Sequence, residues 1–580
     1  MASTTEKTAS GLDEQERASL DTAIDELSAG ARTWSHLSVA QRVTLLRAVR
    51  AAVAASADEW ANTAADSKGL TGGHPLRGEE WLSGPYSALG ALDAYLETLT
   101  RIADGRNPLE GVRIDRAPGG RTRVHAFPLT GTDKVLLSGF TGEVWLAPGT
   151  TPRQVRAGAG LVQRTPHEPG GVGLVLGAGN VTSIPVLDVL YELLAHNRVS
   201  LLKVNPTQDA LVPVFEHALA PLIEPGFLRI VRGGAAAGAY LTAHKGLEHV
   251  HITGSAATFD AIVWGRDAAG KRRRRENRPL LKKPITAELG GVSPIIVVPG
   301  EWTDADLTFH AEHIATMRLQ NSGHNCIAGQ VVILSSDWAQ REQFLTALRH
   351  AYAKAPERPI WYPGADARMT QADGDYPDAL ALGERLLVEI DSTGDAEALE
   401  TTEYFAPVLG VVGVPGLGQD FVDAAVQHAN EKLQGTLGAN VLIDPATERA
   451  LDTGFERALT ALHYGSIAVN AWTAFGFITP TLTWGAFPGG TIQDVGSGIG
   501  VVHNALLLDD VERSIVRGPF RPFPRSLPGA NGGGRFTILP KPPWFVTSRT
   551  GAAVSEGLTR FRATGGVPGL VKTLLQALRA

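Results

Sequence analysis

Residues 171–204 read GVGLVLGAGNVTSIPVLDVLYELLAHNRVSLLKV. Gly171 to Gly177 is a short apolar run that closes on glycine, Pro185 to His196 is helix-like, and Val199 to Val204 is apolar again. The stretch therefore reads as strand, glycine-rich turn, buried helix, strand, which is the crossover unit of a parallel sheet. Its uncharged part, Gly171 to Leu187, is interrupted by Gly177, Gly179, Asn180, Thr182, Ser183 and Pro185. It cannot form the uniform apolar helix of about 20 residues that crosses a bilayer.

The alternation continues downstream. Ala210 to Ile223 reads as helix and Phe227 to Val231 as strand before a small helix; Val250 to Thr253 reads as strand and Ala256 to Trp264 as helix. Apolar strands alternating with helices imply a sheet covered on both faces, which binds dinucleotides at the carboxyl ends of its strands. A second alternation runs from Ser293 to Val298 through the helical run Ala305 to Leu319 to the strand Gln330 to Leu334. Upstream, Asp13 to Leu99 reads as helical, with Leu37, Val39, Val43, Leu45 and Leu46 at helical spacing. Val112 to Val162 reads as an antiparallel strand region broken by glycines. The fold class is α/β, with two doubly wound parallel-sheet domains in series and no short-period repeat.

Composition narrows the function. The 580 residues are 43% hydrophobic and 19% charged, enough for two or three domains, and the formal net charge of -7 gives no general invitation to nucleic acid. The start, Met1 to Lys7 followed by Asp13, Glu14 and Glu16, has no apolar core of a secretory signal, so the cytoplasm is the default. Cys326 is the one cysteine, which rules out a disulfide within the chain and the zinc sites that need several thiolates; no metal is expected. It sits in Asn321-Ser322-Gly323-His324-Asn325-Cys326, a polar, glycine-containing stretch after a helical run. A packing cysteine is readily replaced, so a lone one in this setting is a candidate nucleophile.

Four segments together resemble the aldehyde dehydrogenase superfamily, over residues 13 to about 510. Asn321 to Cys326 looks like its cysteine signature, Glu288-Leu289-Gly290-Gly291 like its glutamate signature, Thr253-Gly254-Ser255 like its pyrophosphate turn, and Glu403-Tyr404-Phe405-Ala406-Pro407-Val408 like the segment that holds the nicotinamide ribose. The resemblance implies an aldehyde dehydrogenase-like fold and oxidation of an aldehyde to a carboxylic acid with NAD or NADP. Cys326 would form a thiohemiacetal, then a thioester. Asn180 and the Cys326 backbone N–H would stabilise the alkoxide, and Glu288 would activate water. Lys203, Gly254, Ser255, Leu289, Glu403 and Phe405 would hold the coenzyme. Read alone, Asn180 is also a plausible turn residue after Gly177-Ala178-Gly179, and Glu288 a structural ion-pair partner. Rival readings are a relative that passes the acyl group to coenzyme A, which commonly lacks the glutamate, and a non-catalytic binding or scaffold protein.

The implied domains are 13–130 with 160–286 for the coenzyme, 287–480 for catalysis, 131–159 with 484–515 for bridging and oligomerisation, and 516–580 as a C-terminal extension. A homodimer or homotetramer is expected. Trp472, Phe475 and Phe477 fall where the family has part of its substrate tunnel, pointing to an apolar or aromatic aldehyde. NAD-preferring relatives often carry Glu where this chain has Pro206, three residues after Lys203, so acceptance of NADP is expected. His324 replaces a common Gln, and its distance of two residues from the cysteine argues against a catalytic contact. Lys271 to Arg275 reads as a solvated basic loop rather than a nucleic-acid site. Val567, Leu570, Val571, Leu574, Leu575 and Leu578 form one helical stripe, suited to docking on the body or a partner subunit, with a surface helix that admits apolar substrates or touches a membrane the sharper alternative.

Overall fold

The computed structural model describes residues 11–527 and 534–579; Met1 to Lys7 lies outside them. The opening stretch forms the strand Val172–Leu176, the helix Ile184–His196 and the strand Val199–Lys203. Pro185 stands in the first helical turn, where its missing N–H costs nothing, and Asn197 ends the helix in the left-handed region at φ 55°. All five residues of Val172–Leu176 are buried, as in a strand covered on both faces.

These strands belong to a six-stranded sheet ordered Gly498–Ile499, Ile285–Leu289, His249–Gly254, Val172–Leu176, Val199–Lys203, Leu228–Val231. All pairs are parallel except Gly498–Ile499 against Ile285–Leu289. The chain starts in the middle, winds out through Leu228–Val231 and returns to the other side. The order therefore switches between Val172–Leu176 and His249–Gly254, where a crevice opens beyond the carboxyl ends.

The second sheet has eleven strands. Its parallel part runs Val511–Arg517, Ser466–Val469, Gly438–Leu442, Ser293–Val297, Gly329–Ser335, Val408–Val414, Leu386–Ile390. Antiparallel strands Thr141–Leu146, Thr122–Phe127 and Ile114–Arg116 extend one edge, and Leu380–Ala381 the other.

Three expectations need correction. Val112 to Val162 is not strand throughout: helices Gly131–Leu136 and Pro152–Gly158 interrupt it, each started by a reciprocal cap, Thr130 with Asp133 and Thr151 with Gln154. Within it, Ile114–Arg116 and Thr122–Phe127 pair into the larger sheet, away from the strands that face the crevice. The basic run Lys271 to Arg275 is the end of a helix, Asp267–Arg275, whose C-terminal dipole it complements. There Arg274 pairs with Asp260 at 2.8 Å and Arg273 donates to the Trp264 carbonyl at 3.1 Å. The terminal helix Val567–Ala577 turns Thr573 and Ala577 inward and leaves Val567, Val571, Leu575 and Leu578 exposed. Small residues set this face: Gly557 has no side chain to hold off Thr573, and a Cβ there would lie 2.1 Å from the Thr573 hydroxyl. No helix among the described residues is long and apolar enough to cross a membrane.

Candidate active site

A cleft of about 840 Å³ opens at the switch point, and all the predicted site residues line it: Asn180, Lys203, Gly254, Ser255, Glu288, Leu289, Cys326, Glu403 and Phe405. A second cavity, about 60 Å³, lies on another side of Cys326 and is bounded by Ile327, Trp472, Phe475, Phe477, Trp484 and Trp544. Cys326 is thus part of the wall of both. The aromatic residues expected at the substrate tunnel, Trp472, Phe475 and Phe477, line the smaller one.

The helix Asp304–Leu319 carries the chain to the cysteine, and the turn after it is heavily constrained. Asn321, Ser322 and Gly323 all take left-handed φ, 54°, 54° and 75°. Such backbone persists only where its surroundings hold it. The Asn321 N–H donates to Glu79 at 3.0 Å, its side-chain amide donates to the carbonyls of Asn180 and His324 at 3.1 Å each, and the Ser322 hydroxyl donates to the Pro359 carbonyl at 2.8 Å. A Cβ on Gly323 would sit 2.7 Å from the Ala406 carbonyl oxygen.

A buried charge cluster beneath this turn is absent from the sequence reading. Lys68 donates to both Glu80 oxygens at 3.0 and 2.9 Å and to the Asn180 carbonyl at 2.9 Å, while Arg358 pairs with Glu79 at 2.6 Å and Glu80 at 3.2 Å. Burial pulls the Lys68 ammonium down and pushes the Glu79 carboxyl up, each partly offset by its opposite charges. The adjacent Glu79-Glu80, two residues after Arg77, was the one available signal, and it names no partner.

Asn180 is pinned from both ends. Its amide donates one N–H to the His324 carbonyl at 2.9 Å, leaving the second N–H of the same nitrogen for another acceptor. His324 is fully buried, bonds the Phe405 carbonyl through Nδ1 at 2.7 Å, and is pulled down to about 3 by burial. A neutral ring so placed ties the cysteine turn to the 403–405 segment and carries no charge toward the thiol.

Glu288, at the end of Ile285–Leu289, is pushed up to about 8 by burial, an effect partly opposed by the facing Cys326 thiol and reinforced by Asp188. Burial, then the Glu288 carboxyl, pushes the thiol well above its ordinary value. Glu288 Oε1 is buried with no hydrogen-bond partner. The pair can hold one proton between a nucleophile and a base.

The larger cleft suits a dinucleotide. Ser255 caps the helix Ala256–Val263 by accepting from the Thr258 N–H, so the first-turn N–H groups face the cleft with the positive end of the helix. Its lining has five cations, Lys203, Arg266, Lys282, Lys283 and Arg368, against two carboxylates, Glu288 and Glu403. Glu403 is raised to about 7 by burial against the pull of Arg368 and Arg318, and its Oε1 has no hydrogen-bond partner, an acceptor suited to a ribose hydroxyl. Gly290 makes room for it: a Cβ there would fall 2.0 Å from that oxygen. Lys203 is lowered by burial, with Asp209 opposing, and Pro206 lines the cleft beside it.

Residues 146–359 match the sequence model of the Aldehyde dehydrogenase family. Among curated proteins, an aldehyde dehydrogenase 1 of Tanacetum cinerariifolium is 29% identical over 166 residues, 25% of this chain and 30% of the relative. An NADP-dependent succinate-semialdehyde dehydrogenase of Mycolicibacterium paratuberculosis is 28% identical over 212 residues, 33% of this chain and 41% of the relative. These alignments span less than half the length of either relative. The fold matches far more widely. The NADP complex of NADP-dependent glyceraldehyde-3-phosphate dehydrogenase from Bacillus halodurans superposes with a TM-score of 0.56 at 17% identity, covering 87% of this chain and 91% of that one. An NAD complex of betaine aldehyde dehydrogenase from Staphylococcus aureus gives 0.57 at 16% identity, covering 88% and 89%.

Proposed function

We propose, from the premise that the chain belongs to the aldehyde dehydrogenase superfamily, that it oxidises an aldehyde to a carboxylic acid with NAD or NADP as acceptor. The observation that carries this is the place of Cys326 in the wall of both cavities, with Glu288 facing it. An aldehyde in the smaller cavity meets the sulfur from one side while the larger cleft lies on the other.

In this reading Glu288 takes the thiol proton and passes it to solvent, and the sulfur attacks the carbonyl carbon, giving a thiohemiacetal alkoxide. The remaining Asn180 N–H and the Cys326 backbone N–H receive that charge; one such donor is worth about 3–4 kcal/mol in comparable sites. The bound nicotinamide would supply the two-electron acceptor for the hydride, with Lys203, Gly254, Ser255, Leu289, Glu403 and Phe405 holding the coenzyme. The thioester left on Cys326 is cleaved by water that gives its proton to Glu288. The division into coenzyme-binding, catalytic and bridging units, a homo-oligomer paired through the antiparallel strands, and a cytoplasmic location complete the proposal.

The test is absorbance of the reduced nicotinamide with a panel of aldehydes, with and without coenzyme A. Acid formation without coenzyme A supports the reading. Turnover that requires coenzyme A indicates acyl transfer, and none under either condition indicates a non-catalytic protein.

A further inference from the structure

Trp544 lies beyond the stretch that carries the family resemblance, yet it lines the Cys326 cavity. It also lines two smaller cavities, about 20 Å³ beside Phe140 and Phe309 and about 10 Å³ beside Leu76 and Gly78, and is the one lining residue common to all three. Its ring therefore stands as a partition. The segment is fastened on both sides: Phe545 stacks on Phe309 with centroids 5.2 Å apart, and the Val546 N–H donates to the Thr316 hydroxyl at 3.1 Å, on the helix that leads to Cys326. Trp544 itself packs edge-on against Phe475 and Phe140, at 6.0 and 5.8 Å.

We infer that Trp544 sets substrate size, making the C-terminal extension the end wall of the aldehyde cavity and restricting the chain to compact apolar aldehydes. This rests on the oxidation reading above. A cavity of about 60 Å³ that ends at the indole leaves an alkyl chain little length beyond it. Removing the indole joins the three cavities into one channel that continues past the present end.

The experiment measures kcat/KM for linear aldehydes from propanal to dodecanal in the parent, Trp544→Phe and Trp544→Ala, with thermal midpoints to establish folding. The parent should favour the short end of this series. Trp544→Ala should raise the decanal to butanal ratio on the order of 10- to 200-fold, the range a hydrophobic pocket gains or loses per methylene-scale change, with Trp544→Phe between. If Trp544→Ala does not fold, the Phe variant must still shift the profile in this direction. A parent that prefers decanal, or a folded variant with the parent's profile, overturns the inference. If the parent oxidises no aldehyde, the oxidation reading has failed separately. The wall is then read by alkylating Cys326 with iodoacetamide and a long N-alkyl iodoacetamide: the long-to-short rate ratio must rise in the folded variant, and an unchanged ratio refutes the wall.

Discussion

The Cys326 thiol and the Glu288 carboxyl sit against each other in a buried site; burial raises both, the carboxyl raises the thiol further, and the thiol partly opposes the rise of the carboxyl. Glu288 ionises at about 8, so turnover should climb as pH rises through that value. Glu288→Gln should remove this limb and lower steady turnover by roughly 10²- to 10⁴-fold. A single-turnover burst of reduced coenzyme in that variant would place the loss in hydrolysis, whereas unchanged steady turnover would make Glu288 a structural carboxylate. The same group acts on stability with a definite sign. A carboxyl held at about 8 rather than 4.5 binds its proton more tightly folded than unfolded. Its contribution is fully present below about 4.5 and is lost as pH rises toward 8, so the Gln variant should lose less stability over that window in urea titrations. Cys326→Ala should abolish oxidation and retain coenzyme binding by fluorescence titration. These residues were legible because a cysteine, a glutamate and their glycines occur in local motifs. The half-occupied amide of Asn180 was not, since its acceptor, the His324 carbonyl, is 144 positions away.

At the level of elements, Val172–Leu176 was readable because a strand buried on both faces leaves an uninterrupted apolar run, and Val199–Lys203 because only Ser200 and the terminal Lys203 break one. The helices inside Val112 to Val162 were missed because glycines drew the reading to turns and away from their caps at Thr130 and Thr151. The turn before Cys326 allows a sharper test. Gly323→Ala combines a left-handed φ with a backbone clash and should cost about 1–3 kcal/mol, measured by urea unfolding. On the proposed reading, coenzyme choice turns on the strand end at Lys203. With Pro206 beside it and both cleft carboxylates close to the nucleophile end of the pocket, a 2'-phosphate meets cations rather than acids. NADP should be used within about tenfold of NAD, a difference of about 1.4 kcal/mol. Lys203→Ala should raise KM for NADP more than for NAD. A preference for NAD above about a thousandfold would reject this account.

Across the whole molecule, the two sheets are interleaved in sequence. The chain enters the larger sheet at 114–146, builds the smaller over 172–289, returns to the larger for 293–469, closes the edge of the smaller with Gly498–Ile499 and ends in the larger with Val511–Arg517. Lys68, Glu80, Glu79 and Arg358 join the N-terminal helices to the turn before Cys326 across this division. Removing one member of such a buried set leaves an unpaired charge, so Lys68→Met should lower the unfolding free energy by about 3–5 kcal/mol, checked by urea titration. The interleaving also has a meaning for biosynthesis. Thr141–Leu146, with its apolar Val144, Trp145 and Leu146, pairs at once with Thr122–Phe127 on one edge and finds the partner of its other edge only when Val511–Arg517 has been made. At about 5–20 residues per second, that interval lasts roughly 20–70 s on the ribosome. Throughout it the nascent chain carries an open, greasy strand edge, the kind of surface that recruits chaperones or seeds aggregates.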